Sequence, residues 1–385
     1  MGRRGSFLCW KTCFVTAFEP VRGHNPLLSM SPLSSQLRSF MSRSLAPENP
    51  AGEEEFNRLA LALFAFQRES VPIYRELCER RKAGAQSIRD WRDIPPLPTG
   101  AFKDYEVSSI PAEERTCVFH SSGTTGQVPS RHFHNAESLS IYEGSLLPWF
   151  ERHFFGPQPP PMKLLFLTPE TAPHSSLVHM FTTVRRYFGK PDSSFTGRFE
   201  ADGSWSLDLD QTLRVVRTAV GENTPIGLLG TAFSFVQLLD HLNTEGKGFG
   251  LPKGSSVMET GGYKGRTRSL TKAKLRQMIY KFLGVPPTQV LSEYGMSELS
   301  SQAYDKATSV FHFPPWVRAC VISPETGAAC GEGETGLLRV FDLANIGSVM
   351  AVQTEDLAVR RGDGFELLGR AASTEPRGCS LLPGP

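Results

Sequence analysis

The sequence has no C-x-x-C pair and no zinc-like ligand spacing, although it contains seven cysteines among 385 residues. An odd number of unpaired cysteines fits a reducing compartment better than a disulfide framework, so we predict a cytoplasmic protein. A long apolar run is also lacking: the longest uncharged run, 223–239, contains Pro, Gly, Thr, Ser and Gln, whereas a membrane span needs about 18 mostly apolar residues. We therefore predict no integral membrane association.

The chain as a whole has no large excess of charge of one sign, because its net charge is +2. This near-neutral balance gives no reason to propose a nucleic-acid partner. The first 47 residues differ, because they carry six Arg or Lys and one acid, Glu19. We expect 1–47 to be a disordered leader, a transit-like segment or a start assigned too early, with Met30 or Met41 as the true start. Ordered structure is expected from about Gly52.

From Gly52 onward, helical and strand patterns alternate. Helices are predicted at Phe56–Phe64, from Pro72, from about Asn135, over Ser176–Phe188, after Thr231, and from a cap at Ser269. Strands are predicted at 116–120, 163–168, 226–229, 256–259 and 290–291, and a hairpin at 358–369 around Gly362-Asp363-Gly364. This order predicts an α/β fold with a mostly parallel sheet, followed by a β-rich C-terminal portion after about Phe313.

A Gly/Ser/Thr loop directly after the strand at 116–120 is the strongest local signal for function. Its glycines permit close backbone approach, and its hydroxyls and amides can hold phosphate oxygens. It is not a Walker A loop, because no Gly-Lys-Ser/Thr follows. We therefore predict a phosphate-binding loop. Its members are Ser121, Ser122, Gly123, Thr124, Thr125 and Gly126.

This loop resembles that of the acyl-adenylate-forming (ANL) superfamily, and three further motifs of that superfamily follow in the right order. Tyr294-Gly295-Met296-Ser297-Glu298 matches Tyr-Gly-x-Thr/Ser-Glu. Thr354-Glu355-Asp356 stands where relatives have Thr-Gly-Asp, and Gly369-Arg370 stands where they have the Gly-Arg before a hinge. The resemblance implies an ANL-type domain, 48–370, that binds ATP and Mg²⁺ and joins a carboxylic acid to AMP.

The resemblance also implies a role for each matching residue. Ser121, Ser122, Thr124 and Thr125 would hold the β- and γ-phosphates. Ser297 would donate to the α-phosphate and Glu298 would place Mg²⁺, which suits a reaction that builds charge on phosphate oxygens. Asp356 would bind ribose hydroxyls, and Arg370 the ribose or a phosphate. The turn Gly261-Gly262-Tyr263 would bind adenine, and Tyr294 and Gly295 would also belong to the nucleotide site.

Within the superfamily, the chain resembles the acyl-protein synthetases (LuxE-type) from about Pro50 onward. The resembling stretches are 121–132, 173–180, 259–264 and 377–381. In that family an acyl group moves from AMP to a cysteine near the C-terminus, and then to a reductase partner. The resemblance therefore implies that a fatty or other carboxylic acid is the substrate, that Cys379 carries the acyl group on a short mobile tail (371–385), and that a reductase or carrier protein accepts it.

Two departures separate the chain from ordinary acyl-CoA synthetases. Ser130 stands where many relatives have a lysine, and Arg131 or His132 would have to substitute for that cation. The chain also ends shortly after Arg370, so the small C-terminal domain of those relatives is absent or reduced to the tail. Two alternatives stay open: an acyl- or aryl-CoA ligase resembling phenylacetate-CoA ligase, and a non-catalytic nucleotide-binding scaffold.

His174 and His179 flank the start of the helix predicted at 176–188 and are candidates to line the acyl pocket or to steer the substrate carboxylate. The aromatic residues between Tyr142 and Phe155 are interpreted as core packing rather than as an acyl channel.

Overall fold

The computed structural model describes residues 30–46, 52–121, 128–156, 162–200, 204–261 and 270–371. The helices, in chain order, are α1 (Met30–Ser44), α2 (Glu53–Ser70), α3 (Pro72–Arg80), α4 (Ala101–Asp104), α5 (Ala136–Phe150), α6 (Ser176–Phe188), α7 (Leu209–Gly221), α8 (Ala232–Thr244) and α9 (Lys272–Leu283). Within the described ranges, no helix is both long and apolar enough to cross a membrane.

The strands are short, and most follow the alternation that the sequence predicts. In chain order they are β1 (Leu97–Pro98), β2 (Cys117–His120), β3 (Arg131–His134), β4 (Lys163–Phe166), β5 (Ser194–Phe195), β6 (Gly197–Phe199), β7 (Trp205–Leu207), β8 (Ile226–Thr231), β9 (Ser256–Thr260), β10 (Val290–Tyr294), β11 (Ala303–Lys306), β12 (Val317–Ile322), β13 (Thr335–Asp342), β14 (Ala351–Arg361) and β15 (Gly364–Arg370).

Six strands form the central sheet, in the order β11-β10-β9-β8-β4-β5. All neighbours in it are parallel except β10 and β11. A second sheet has the order β1-β14-β13-β12, with β15 also paired to β14, and it is antiparallel except for β1. The predicted mostly parallel α/β sheet and the β-rich C-terminal portion are confirmed, as is the hairpin, which is β14–β15.

The central sheet is buried on both faces, as its unbroken apolar strands require. Along β4, Leu165 packs in a core with the apolar faces of α7, α8 and α9, whereas its neighbours Leu164 and Phe166 belong to a second core. That second core also takes in the N-terminal helices, α5, α6 and the second sheet. Successive side chains of a strand point to opposite faces, which produces this division. The aromatic residues at 142–155 pack in the second core, as predicted.

Helix α1 is a correction to the expected leader at 1–47. Leu33, Leu37, Phe40 and Met41 recur at helical spacing and are buried in the core. Arg43 also forms an ion pair of 2.8 Å with Glu55 of α2. The prediction of order only from about Gly52 is therefore wrong for residues 30–44, because their apolar positions are spaced to pack. Residues 1–29 lie outside the described residues.

Side-chain caps set most helix starts. Asn135 accepts from the amide of Ser138, and Ser175, Asp208 and Thr231 cap α6, α7 and α8 in the same way. Helix α9 is capped by Thr271, which accepts from the amide of Lys274. The predicted cap at Ser269, which lies outside the described residues, is therefore replaced by Thr271, whose hydroxyl is in register with that amide.

Candidate active site

Strands β8, β9 and β10 are parallel, so their carboxyl ends meet at one edge of the central sheet. Strand β9 ends at Thr260, followed by Gly261 with a φ of +72°, a value that favours glycine. Strand β10 ends at Tyr294, where the motif Tyr294–Glu298 begins. Ligands of open α/β sheets bind outside the carboxyl ends of their strands, so these two motifs lie where a ligand is expected.

One group of predicted residues joins the two sheets. The Tyr294 hydroxyl donates a hydrogen bond of 2.7 Å to Oδ2 of Asp356. Asp356 and Arg370 are paired across β14 and β15, and Arg370 Nε lies 3.7 Å from Asp356 Oδ1. Burial, and then the Asp356 carboxylate, raise the pKa of Tyr294 well above its usual value. Tyr294 therefore keeps its proton over the physiological pH range and donates it in the hydrogen bond to Asp356.

A second group surrounds Ser297. The Ser297 hydroxyl donates to Oε2 of Glu298 over 3.0 Å and lies 3.2 Å from the Ser130 hydroxyl. Because the Ser297 proton is directed to a carboxylate, the Ser130 hydroxyl is the donor in its contact with Ser297. The three side chains therefore form a relay from Ser130 through Ser297 to Glu298, and all three are buried.

The His132 side chain contacts the backbone of the same serine, Ser297. Its Nδ1 lies 2.8 Å from the Ser297 carbonyl oxygen. Because a carbonyl oxygen can only accept a hydrogen bond, Nδ1 carries the proton and Nε2 is unprotonated in the neutral ring. Complete burial lowers the pKa of His132 to about 4. The imidazole is thus neutral at pH 7, so His132 does not supply the cation that relatives obtain from a lysine at the position of Ser130.

Strand alternation directs Arg131 away from Ser297. Arg131 is the first residue of β3 and lies between Ser130 and His132 in the sequence, and both of these contact Ser297, so Arg131 belongs to the opposite face of the β2–β3 hairpin. There it is paired in register with His120, whose ring stacks on that of His174 at 4.4 Å. Burial, followed by His174, lowers the pKa of His120.

The predicted phosphate loop has an unexpected setting. It joins two antiparallel strands, β2 and β3, so an additional strand lies between the loop and α5. Helix α5 begins at Ala136, as predicted. Ser121 and Ser130 close its base, because the Ser130 amide donates to Ser121 Oγ over 3.0 Å. The short β3 is absent from the sequence prediction, since four residues of mixed polarity give little periodic signal. Residues 122–127, which include Ser122, Gly123, Thr124, Thr125 and Gly126, lie outside the described residues.

The profile of the family "Acyl-protein synthetase, LuxE" matches residues 31–382. The chain belongs to this family. The predicted class, an acid–thiol ligase of the acyl-protein synthetase type, is thereby confirmed.

Two relatives of this acyl-protein synthetase carry the same name, long-chain-fatty-acid–luciferin-component ligase. The one from Vibrio harveyi is 23% identical over 342 residues, which cover 84% of this chain and 86% of the relative. The one from Aliivibrio fischeri is 22% identical over 343 residues, with the same coverage. Among solved structures, 2-hydroxyisobutyryl-CoA ligase in complex with 2-HIB-AMP and CoA is similar, with a TM-score of 0.58, 13% identity, and coverage of 82% of this chain and 70% of that one. This likeness confirms the acyl-adenylate-forming fold.

The synthetase also has polar residues at the strand ends that the sequence analysis missed. Glu293 precedes Tyr294 on β10, and the Thr260 hydroxyl donates to its Oε2. Burial raises the pKa of Glu293 to about 7. The Glu293 carboxyl lies so close to Gly295 that a Cβ there would meet Oε1 at 2.3 Å. The glycine at 295 therefore leaves room for the Glu293 carboxyl. The acid within an apolar strand was the available signal for Glu293.

The remaining candidates are dispersed or outside the described part. His179 is close to Glu143 Oε1, at 3.3 Å, and its ring packs on Phe119 and Tyr142. His174 stays exposed at the base of the hairpin, with a φ of +63°. Gly262, Tyr263 and Cys379 lie outside the described residues. The structure thus brings together Tyr294, Asp356 and Arg370 in one group, and Ser297 and Glu298 in another.

Proposed function

We propose that this acyl-protein synthetase uses ATP and Mg²⁺ to convert a long-chain fatty acid to acyl-AMP, transfers the acyl group to Cys379, and passes it to a reductase or carrier protein. The names of the two relatives, which are long-chain-fatty-acid–luciferin-component ligases, support a long-chain fatty acid as the substrate. The observation that carries the proposal is the convergence of Tyr294, Asp356 and Ser297–Glu298 at the carboxyl ends of the central strands.

The described residues fit a nucleotide. An ionised Asp356 can accept only, which suits ribose hydroxyls, and Tyr294 and Arg370 fix its two oxygens. The Arg370 guanidinium is exposed and lies 3.7 Å from Asp356 through its Nε, so it can be approached by a phosphate from solvent. In the same region, Gly261 gives the backbone room for close approach of a flat ring.

Glu298 fits a divalent cation bound together with phosphates. It is buried, one of its oxygens accepts from Ser297, and no Lys, Arg or His within the described ranges forms an ion pair with it. Those ranges contain no set of three or more metal-ligating side chains. In general Mg²⁺ is bound through one or two carboxylates together with substrate phosphates. Once bound, Mg²⁺ would neutralise charge that builds on the phosphates.

Ser297 is the donor for the α-phosphate in this proposal. In the structure the Ser297 hydroxyl donates to Glu298. This hydroxyl would become available to the α-phosphate when the Glu298 carboxylate binds a cation instead. Ser130 and His132 keep the Ser297 hydroxyl and backbone in place meanwhile. Attack of the fatty carboxylate on the α-phosphorus forms the acyl–phosphate bond and releases pyrophosphate.

The second step is proposed from the family resemblance, since Cys379 lies outside the described residues. The Cys379 thiolate attacks the acyl carbonyl, the carbon–sulfur bond forms, and AMP leaves with the oxygen of the mixed anhydride. We propose that 371–385 acts as the tail that brings this thiol to the site. The free thiols of Cys78, Cys117, Cys320 and Cys330 agree with the cytoplasmic location that we propose.

The deciding experiment is the intact mass of the protein after incubation with ATP, Mg²⁺ and a mixture of fatty acids, without CoA. We expect one acyl mass increase that neutral hydroxylamine removes, and none in Cys379→Ser. Stable acylation of Cys379→Ser would refute the carrier assignment. Absence of acylation in the natural protein, with acyl-CoA formed when CoA is added, would instead identify a CoA ligase.

A further inference from the structure

The segment after Ser297 is held by the end of β13, Asp342, and by the buried loop that follows it, residues 343–350. The side chain of Asn345 in this loop is fully buried. Its Nδ2 donates to the Glu298 carbonyl over 2.8 Å, and its Oδ1 accepts from the Ser300 hydroxyl over 2.6 Å. Asn345 thus binds the backbone of Glu298 and the side chain of Ser300, on either side of Leu299.

Asn345 is itself anchored. Its backbone amide donates to the Asp342 carbonyl over 3.0 Å, and its carbonyl accepts from Gln67 Nε2 over 2.7 Å. Asp342 also accepts from the amide of Ser300 and the hydroxyl of Ser301, at 2.9 and 2.8 Å. The loop is therefore a rigid support that fixes residues 298–301 from the side of the second sheet.

The chemistry of this contact requires an amide. A carboxylate would accept from Ser300 but cannot donate to the Glu298 carbonyl, and an apolar side chain would leave both partners unsatisfied in a buried place. Val349 adds a second acceptor for Nδ2, at 3.2 Å. Because both acceptors are carbonyls, the orientation of the amide is determined.

The backbone of Glu298 is held in this way while its carboxylate forms no ion pair with the described residues. We propose that Asn345 is a positioning residue that fixes Glu298 for binding of a divalent cation with nucleotide phosphates. The proposal rests on the function proposed above and adds the residue that orients the cation ligand. Partners that orient a metal ligand typically change metal affinity when they are removed.

The test compares Asn345→Asp with Ser348→Ala. Ser348 lies in the same loop, is equally buried, and donates to the Val107 carbonyl over 3.1 Å instead of to the site. Binding of Mn²⁺ to each protein saturated with ATP, without acid, is followed by electron paramagnetic resonance. We expect Asn345→Asp to weaken Mn²⁺ affinity by about 10- to 100-fold, with ATP affinity in the absence of metal unchanged. Ser348→Ala should bind Mn²⁺ as the natural protein does.

Near-ultraviolet circular dichroism shows whether each variant is folded, and every measurement is made below its unfolding midpoint. If Asn345→Asp does not fold, Ser300→Ala replaces it, since it removes the hydrogen bond that the Asn345 amide oxygen accepts. Weaker Mn²⁺ binding than in Ser348→Ala supports the proposal, and equal binding overturns it. If the natural protein binds no Mn²⁺ with ATP and shows no pyrophosphate exchange, the proposed function itself is wrong.

Discussion

Tyr294 and Asp356 are joined by a hydrogen bond of 2.7 Å between side chains that belong to different sheets. Tyr294 ends β10 of the central sheet, and Asp356 lies in β14 of the second. The aromatic ring of Tyr294 also packs on Phe311 and Phe365, with centroids 6.1 and 5.4 Å away. The contact therefore sets the position of the proposed ribose acceptor relative to the strand ends.

Tyr294→Phe should remove this orientation without changing the packing of the ring. We expect the KM for ATP to rise about tenfold, because a hydrogen bond to a charged group is worth about 1.5–3 kcal/mol. The measurement is ATP–pyrophosphate exchange at varied ATP. Tyr304→Phe is the matched control: Tyr304 is as buried, and its hydroxyl has no hydrogen-bond partner among the described residues. An equal effect of both variants would contradict the role of the Tyr294–Asp356 bond.

Ser130→Ala should interrupt the relay at its first member. Ser297 would keep its bond to Glu298 but lose the donor that fixes its oxygen. We expect kcat for pyrophosphate exchange to fall about two- to tenfold, the range of a neutral hydrogen bond, with little change in KM for ATP. Ser44→Ala, which removes a buried hydroxyl on α1 that bonds to the Phe40 carbonyl, should leave kcat unchanged. A normal kcat in Ser130→Ala would show that the relay is dispensable.

Local patterns sufficed for much of the fold. Asn135, Ser175 and Thr231 are capping residues before apolar periodic stretches, and the helices begin where these side chains predict. Apolar strands such as Ile226–Thr231 were found in the same way. These features depend on neighbours within a few residues, which the sequence displays directly.

Contacts between distant parts of the chain could not be predicted in this way. Ser130 meets Ser297 across 167 positions, and Gln67 reaches the backbone of Asn345 across 278. The family motifs identified Ser297 and Glu298 but not the residues that contact them. A motif specifies residue types and their spacing in the sequence, and it contains no information about the packing around them. The neutral state of His132 likewise follows from burial, which only the folded chain reveals.

Helix α1 offers a test of the corrected N-terminal boundary. Phe40→Ala should lower the free energy of unfolding by about 3–5 kcal/mol, because the fully buried ring leaves a cavity in the core. Equilibrium urea unfolding measures the change. Ser39→Ala, at the exposed neighbouring position, should have no comparable effect. Equal midpoints for the two variants would mean that α1 does not belong to the cooperative core.

Glu293 predicts a pH dependence of stability. Its pKa is raised from 4.5 to about 7 by burial, although the Thr260 hydroxyl opposes the shift. Between pH 4.5 and about 7 the folded protein binds more protons than the unfolded chain. The protonated Glu293 carboxyl therefore contributes its full stabilisation below pH 4.5, and this contribution is lost as the pH rises to about 7. The glutamine in Glu293→Gln cannot ionise, so this variant should not lose stability from that site as the pH rises.

The stability of Glu293→Gln relative to the natural protein should therefore increase between pH 4.5 and about 7. The increase should be about 3 kcal/mol, at about 1.4 kcal/mol per pKa unit. Urea unfolding of both proteins at several pH values gives the difference, and subtraction cancels the other buried groups, such as His132, whose lowered pKa acts in the opposite sense. Glu113→Gln, at an exposed position, reports the effect of removing one surface acid. A difference that stays constant with pH would show that the Glu293 carboxyl is ionised in the folded protein across this range.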